Sequence, residues 1–576
     1  MSKLNIDQKT INGLLTEKNA DFLIPDYQRP YAWGEDECAT LWDDLRTFAM
    51  PDDNINLFND NEEYFLGPIV TFENDRGKKE VIDGQQRLTT IMLLLRAFCT
   101  RFESMKDQDS VTMHSDLEKC IWKTASLNKV DHTKLKLDSE VASDDHKQVF
   151  LSILYSGRVE PSQKSQYAKN YRFFEDRINE LVNSYPSYVA EFAWRILNNV
   201  ILLPIEAESQ DTALRIFSTL NDRGLPLADA DIFKSQFYKH YSAAGRKDEF
   251  VTRWKQLEET AAQILRPTKG TPMDELFTRY MYYRRALKGI RDTTTRSLRD
   301  FYSNNAYEIL REDGSLDDLE ALLEFWRKVE AQDGFSERVL RRLFVLSYAP
   351  NGMWTYLLST WFLAKRDAQN ELDEEELYHF LSQITGFIYA YSLERPGVNA
   401  LRGPVYPALI DIVNGEPMHF NAEPFDRAVM TRRFESFQFT NQRRFTRSML
   451  VWWAFADPEQ PLLDPDTTLE IEHIYARRRN ETSPLSKKAN LEALGNKAML
   501  EKRVNIRAAD YQLKDKKKYY EGYVNDKGAK IPGTAVHELV QIAGRDDFTE
   551  ADIEERTSTI IGAFVDWLGE LGLLRE

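Results

Sequence analysis

The chain has 576 residues, 42% of them hydrophobic and 12% aromatic, and a formal net charge of −17. It is too long for one ordinary core and too apolar for wholesale disorder, so two to four packed domains are expected. The acidic balance excludes a surface coated in nucleic-acid-binding charge and allows only a restricted basic groove.

Taken in order, residues 1 to 20 read as a short strand or helix lead-in, with Ile6, Ile11, Leu14 and Leu15 apolar. Residues 24–33 contain Pro25 and Pro30, which disfavour a helix and suggest an extended loop carrying Gln28, Arg29, Tyr31 and Trp33. Arg29 can meet a phosphate. Tyr31 and Trp33 can stack on a base or anchor the loop to the core, the commoner fate of loop aromatics. Glu35 to Phe48 has helical spacing through Cys38, Leu41, Trp42 and Leu45. Tyr64 to Phe72 predicts a strand, Asn74 to Gly77 a turn and Lys79 to Ile82 a return strand.

The return strand runs into Asp83-Gly-Gln-Gln-Arg-Leu-Thr-Thr90 and an apolar helix, Ile91 to Phe98. Strand, glycine turn and helix start make a geometry suited to an anion, because the first helical N–H groups are unpaired and the helix dipole favours negative charge. Arg87 adds a bidentate donor, and Thr89 and Thr90 add hydroxyls. A turn with a cap and a salt bridge would use the same residues, and the Gly-Lys-Ser/Thr pattern of a P-loop is absent. Residues 100 to 200 are mostly helical by pattern, with a loop-like charged stretch near Asp138 to Lys147. Trp194 to Pro204 reads as a buried strand.

From Phe233 onward helix follows helix, at Leu276–Tyr283, Leu319–Val329, Val339–Leu346 and Glu374–Tyr391. The aromatics Phe277, Tyr280, Tyr282 and Tyr283 suit core packing. Asp457 to Asp466 is a loop, and a domain boundary is expected near residue 440. A helical tail, Ile560 to Leu574, is expected to pack back on the last module. Thr468 to Ile474 alternates apolar and polar residues and predicts a short strand ending in Glu472-His473. Leu494 to Leu500 with Asn496, then Asn505, and the basic run Lys514 to Lys518 follow. From Arg477 to Lys518 thirteen Lys or Arg stand against five Asp or Glu, a local excess of positive charge suited to a phosphate backbone. Glu472, His473, Asn496 and Asn505 are the chemical set of a one-metal phosphodiester nuclease. Oxygen donors hold a hard cation, and a neutral imidazole takes a proton from water.

The ordered Glu472-His473, Asn496, Asn505 and Lys516-Lys517 resemble the HNH (His-Me finger) nucleases, most closely the C-terminal module of GmrSD-type (BrxU-like) type IV restriction enzymes. The resemblance implies His473 as general base, Asn496 orienting it, Glu472 and Asn505 holding Mg2+ or Mn2+, and Lys516 or Lys517 contacting DNA. One departure is Ala476, where the family usually has proline. Gln28-Arg29 with Trp33, Asp83 to Thr90, and Phe217 to Leu227 resemble, in order, the ParB/sulfiredoxin-like N-terminal module of the same enzymes. By that resemblance Arg29, Asp83, Gln85, Gln86, Arg87 and Thr89 line a site for a nucleoside triphosphate (ATP, GTP or CTP). Asn221, Arg223 and Gly224 form a neighbouring wall, and Asp83 activates water.

The expected architecture is α+β and mostly helical: a ParB/sulfiredoxin-like domain over 1–240, a helical scaffold over 241–440 and a ββα-metal finger over 441–576. The expected function is nucleotide-dependent cutting or nicking of modified phage DNA. A nucleotide-switched DNA-binding protein with an inactive finger and an RNA-cleaving effector are the rival readings, and homodimerisation is left open. Cys38, Cys99 and Cys120 have no metal-ligand spacing, which predicts neither a disulfide framework nor a zinc knuckle. With a polar N-terminus and no apolar run of spanning length, a soluble cytoplasmic protein without a membrane partner is expected.

Overall fold

The computed structural model describes residues 5–125, 129–141, 144, 146–210, 212–213, 216, 229–294, 297–395, 397, 400–420 and 424–575. The chain divides into two compact units, Met1–Gln256 and Leu257–Glu576, and is α+β with helix predominating. Among the described residues no helix is long and apolar enough to cross a membrane, and all three cysteines are free and buried.

The first unit is built on a seven-stranded mixed sheet. Its strands are β1 (Asn5–Ile6), β2 (Lys9–Thr10), β3 (Phe22–Ile24), β4 (Tyr64–Glu73), β5 (Lys79–Asp83), β8 (Leu137–Ser139) and β9 (Val200–Ala207). They lie in the order β1-β9-β4-β5-β3-β8, with β2 also on β9. The hairpin β4–β5 is antiparallel as the alternation predicts, and its turn is locked by Asn74 Oδ1, which accepts from the N–H groups of Arg76 and Lys78 at 3.0 and 3.1 Å. A separate hairpin, β6 (Trp122–Thr124) with β7 (Val130–Leu135), lies in the stretch expected to be helical. β8 falls inside the expected charged loop and pairs in parallel with β3.

Helix α1 (Glu35–Ala49) buries Cys38, Leu41, Trp42 and Leu45. Helix α2 (Gln85–Phe102) is buried along most of its length, with Leu88, Ile91, Met92, Leu93, Phe98 and Phe102 at most 1% exposed and only Arg87, Thr100 and Arg101 partly exposed. It starts from Gly84, whose φ of 86° puts it in the left-handed region. A Cβ there would meet Pro68 O at 3.1 Å, so the β5–α2 turn sits tight on β4. The expected strand from Trp194 is corrected: α3 (Val189–Asn199) continues to Asn199 and β9 begins at Val200. Val189, Phe192, Ala193, Ile196 and Leu197 form one buried helical face, and Trp194 points outward at 46% exposure.

The second unit contains helices α4 (Pro272–Leu287), α5 (Ser315–Glu330), α6 (Glu337–Ser347), α7 (Met353–Lys365) and α8 (Glu374–Glu394); α4, α5, α6 and α8 contain the segments with helical spacing, and α7 was not singled out. Tyr282 stacks on Tyr356 at 4.2 Å between ring centres, and Phe277 and Tyr280 are fully buried, so the aromatic cluster is core. Helix α9 (Arg444–Ala456) leads toward the last module. There β10 (Leu469–His473) and β11 (Lys497–Glu501) pair antiparallel, Leu469 opposite Glu501 and His473 opposite Lys497. Helix α10 (Lys502–Ala508) follows β11 directly, and α11 (Leu513–Glu521) comes next. The tail forms α12 (Glu550–Glu570), which packs on the turn Leu494–Asn496: Gly495 N donates to Thr557 Oγ1 at 3.0 Å.

Candidate active site at the end of the β10 strand

Glu472 and His473 close β10 and are 4% and 8% exposed. Lys516 and Tyr520, one turn apart on the buried face of α11, both reach Glu472 Oε1, the ammonium at 2.5 Å and the phenol at 2.7 Å. No bond falls on Glu472 Oε2 among the described residues. The same ammonium donates to His473 O at 2.7 Å, so Lys516 holds both members of the pair. Its side chain is 1% exposed, which places it away from the expected DNA contact. Lys517 is half-buried, and Lys514 and Lys518 are exposed.

The His473 imidazole Nε2 is buried without a hydrogen-bond partner. It lies 3.4 Å from Glu492 Oε1, outside hydrogen-bond geometry. Burial lowers its pKa, and Arg477, Lys497 and Lys516 add to this against Glu492, bringing it to about 4. The ring is therefore neutral at physiological pH and able to accept a proton. Burial alone would raise the Glu492 pKa, but Lys497 Nζ at 2.6 Å and Arg477 Nη2 at 2.9 Å hold it below the ordinary value.

Asn496, fully buried, reaches the chain just beyond His473. Its Oδ1 accepts from Tyr475 N at 2.7 Å, and its Nδ2 donates to Tyr475 O at 3.2 Å and to Leu491 O at 2.9 Å. It fixes the loop that carries the imidazole and makes no bond to the ring among the described residues. Asn496→Ala leaves these backbone groups unpaired. We expect a loss of about 2–3 kcal/mol in a denaturant melt, with cleavage impaired in proportion to the loosened loop. An unchanged melting curve would rule this anchor out. Ala476, where the resemblance led to an expectation of proline, sits at φ −64°, the angle a proline ring imposes.

Asn505 comes from α10 to the strand, but its Nδ2 bonds Glu470 Oε2 at 2.8 Å instead of meeting Glu472. Glu470 and Glu472 share a face of β10 by alternation. Glu470, Glu492 and Tyr520 were not singled out from the sequence. The two-residue spacing of the acids was the available signal for Glu470. Among the described residues no group of three or more His, Cys, Asp or Glu side chains is disposed to hold a metal. Glu470, Glu472 and Asn505 carry two carboxylates and a carboxamide, hard oxygen donors of the kind that Mg2+ or Mn2+ prefers.

In the first unit, Asp83 ends β5, and burial raises its pKa against the opposing pull of the Gly84 backbone, Arg87 and Arg29. Arg87 is half-buried with Nη1 on Pro68 O at 2.7 Å, and Arg29 is exposed. Both guanidinium groups act on Asp83 electrostatically, and no ion pair joins the three among the described residues. Gln86 is committed to the preceding loop: Oε1 accepts from Ala32 N at 2.7 Å and Nε2 donates to Pro30 O at 3.1 Å. Gln85 and Thr89 are buried. Tyr31 stacks on Tyr167 at 4.8 Å and bonds Thr90 Oγ1 at 2.7 Å, which makes it a loop anchor. Asn221, Arg223 and Gly224 lie outside the described residues.

Residues 11–238 match the model of the GmrSD restriction endonuclease N-terminal domain, and residues 425–563 match that of the GmrSD restriction endonucleases C-terminal domain. No curated protein matches the chain. The two matches together span well over half of the chain and take in both the β5–α2 turn and the β10–β11–α10 segment, so the chain belongs to the GmrSD-type restriction endonucleases.

Proposed function

We propose that this restriction endonuclease is a metal-dependent, nucleotide-gated enzyme of phage defence that cuts or nicks modified DNA through an HNH-like finger at β10–β11–α10. The observation that carries the reading is the buried, neutral imidazole of His473, its Nε2 without a hydrogen-bond partner, in a residue whose carbonyl shares the Lys516 ammonium with Glu472. His473 takes the proton from the attacking water. Asn496 and Lys516 keep the main chain around it from shifting. Glu470, Glu472 and Asn505 would hold the cation. A bound Mg2+ or Mn2+ supplies Lewis-acid stabilisation of the phosphate oxygens. Lys514, Lys517 and Lys518 offer positive charge to the flanking backbone.

The nucleotide reading rests on the β5–α2 turn, where the unpaired amides of a long helix follow Asp83, and Arg87 and Arg29 act on that carboxylate electrostatically. Arg87→Ala is expected to weaken nucleoside triphosphate binding by at least tenfold, read by fluorescent-analogue titration. Unchanged affinity would remove the turn as the binding place. The deciding experiment is digestion of phage genomes of known modification and an unmodified plasmid. It is run with and without ATP, GTP or CTP, and with EDTA or added Mg2+ or Mn2+. Cleavage confined to modified DNA, nucleotide and free metal supports the whole reading. Cleavage in EDTA sinks the metal assignment, and equal cutting of all substrates sinks modification sensing.

A further inference from the structure

Lys516 has so far been given only the part of holding the chain at His473, and its placement is unusual for its type. A lysine 1% exposed is costly unless its charge is matched, and here a single carboxylate, Glu472, matches it at 2.5 Å. Of the lysines at 514, 516, 517 and 518, both Lys516 and Lys517 lie in helical phase with Leu513 and Tyr520, and Lys516 alone of the four is buried. Its ammonium touches one oxygen of the carboxylate that faces the cation position, and Tyr520 donates to that same oxygen. Two donors on Oε1 leave Oε2 open while the full positive charge stays within contact distance.

We propose that Lys516 is the resident counter-ion of the nuclease site: it neutralises Glu472 before a divalent cation arrives and thereby raises the metal concentration at which the site loads. The proposal rests on the cation reading given above. A dication on Glu470, Glu472 and Asn505 must share Glu472 with a fixed positive charge, and the repulsion between them weakens binding. The benefit is in the metal-free state, where Glu472 would otherwise be a buried, uncompensated anion. The tyrosine contributes a neutral hydrogen bond and no repulsion, so the two donors have separable effects.

The test is Mn2+ titration of the full chain, with free Mn2+ read by electron paramagnetic resonance and stability followed by thermal melts. The proteins are the wild type, Lys516→Met, Lys516→Arg and Tyr520→Phe. Lys516→Met is expected to bind Mn2+ at least tenfold tighter than wild type, to melt lower without metal and to gain more from added Mn2+. Lys516→Arg and Tyr520→Phe are expected to stay within about threefold of wild type in affinity. If Lys516→Met does not fold, Lys516→Gln, which keeps a donor and loses the charge, takes its place with the same expectation. Affinity of the neutral variant equal to or weaker than wild type overturns the counter-ion role while leaving the cation site intact. Absence of Mn2+ binding in the wild type and every variant overturns the cation reading itself.

Discussion

His473→Ala leaves a folded protein that no longer cuts DNA. A positioned general base contributes roughly 10²- to 10⁴-fold to a rate, and the loss is expected at the upper end of that range because no second imidazole is available nearby. His537, also in the second unit, is tied to Asp457 at 2.7 Å, a different partner set. The folded state should lose little. Nε2 has no hydrogen-bond partner, so truncating the ring strands no donor, and the β10–β11 pairing at this position is main-chain. Plasmid cleavage rates, with circular dichroism and a thermal melt as controls, check this. A variant that folds normally and cuts within tenfold of wild type would remove His473 from the chemistry. Nucleotide turnover, where present, should be unaffected, because the β5–α2 turn belongs to the other unit.

The second large effect is structural. Gly495 is the place where the turn before β11 meets α12. A Cβ built there runs into Ile553 O and Thr557 Oγ1, and comes within 2.6 Å of Thr557 N. Two of these three are main-chain atoms of a helix, which cannot swing aside as a side chain would. Gly495→Ala must therefore push α12 away. The shift breaks the Gly495–Thr557 bond and strains Arg556, whose Nη1 donates to Gly495 O at 2.9 Å and Lys497 O at 2.8 Å. Overpacking of this kind commonly costs 1–3 kcal/mol, and a main-chain collision belongs at or above the top of that range. We expect a loss of about 3 kcal/mol or more, seen as a melting temperature lowered by several degrees. DNA cleavage should fall with it, since Asn496 is the next residue. A melt within about 2 °C of wild type would show that α12 accommodates the methyl group.

Much of this was readable beforehand, and where reading failed the reason is physical. Strand β10 was legible because apolar and polar residues alternate along it, and the hairpin β4–β5 because the turn residues Asn74 to Gly77 separate two apolar runs. The order Glu472-His473, Asn496, Asn505 was legible as chemistry, but the partner of Asn505 was not. Glu470 and Glu472 are equivalent by composition, and only the seat of Lys516 and Tyr520 on Glu472 separates them. The hairpin β6–β7 and strand β8 carry Lys123, Asp131, His132, Lys134 and Asp138 and lack a continuous apolar face, so the first passed for part of a helical stretch and the second for a charged loop. The end of α3 was missed because its apolar face runs without a break into β9. A run of lysines gives no local sign of which one turns inward. Helical phase with Leu513 and Tyr520 admits Lys516 and Lys517 equally, and the choice between them lies in the Glu472 carboxylate that Lys516 meets.

Helix α2 buries every residue along its length except Arg87, Thr100 and Arg101, which makes it a rod that cannot roll or slide without disturbing the interior of its unit. Its eighteen residues reach roughly 27 Å, so its far end, at Phe102, lies well away from the charged turn at its head. Whatever settles at that head meets an anvil: the abutting wall does not give, and any movement on docking has to be taken up by the outer strap that Gln86 ties to Pro30 and Ala32.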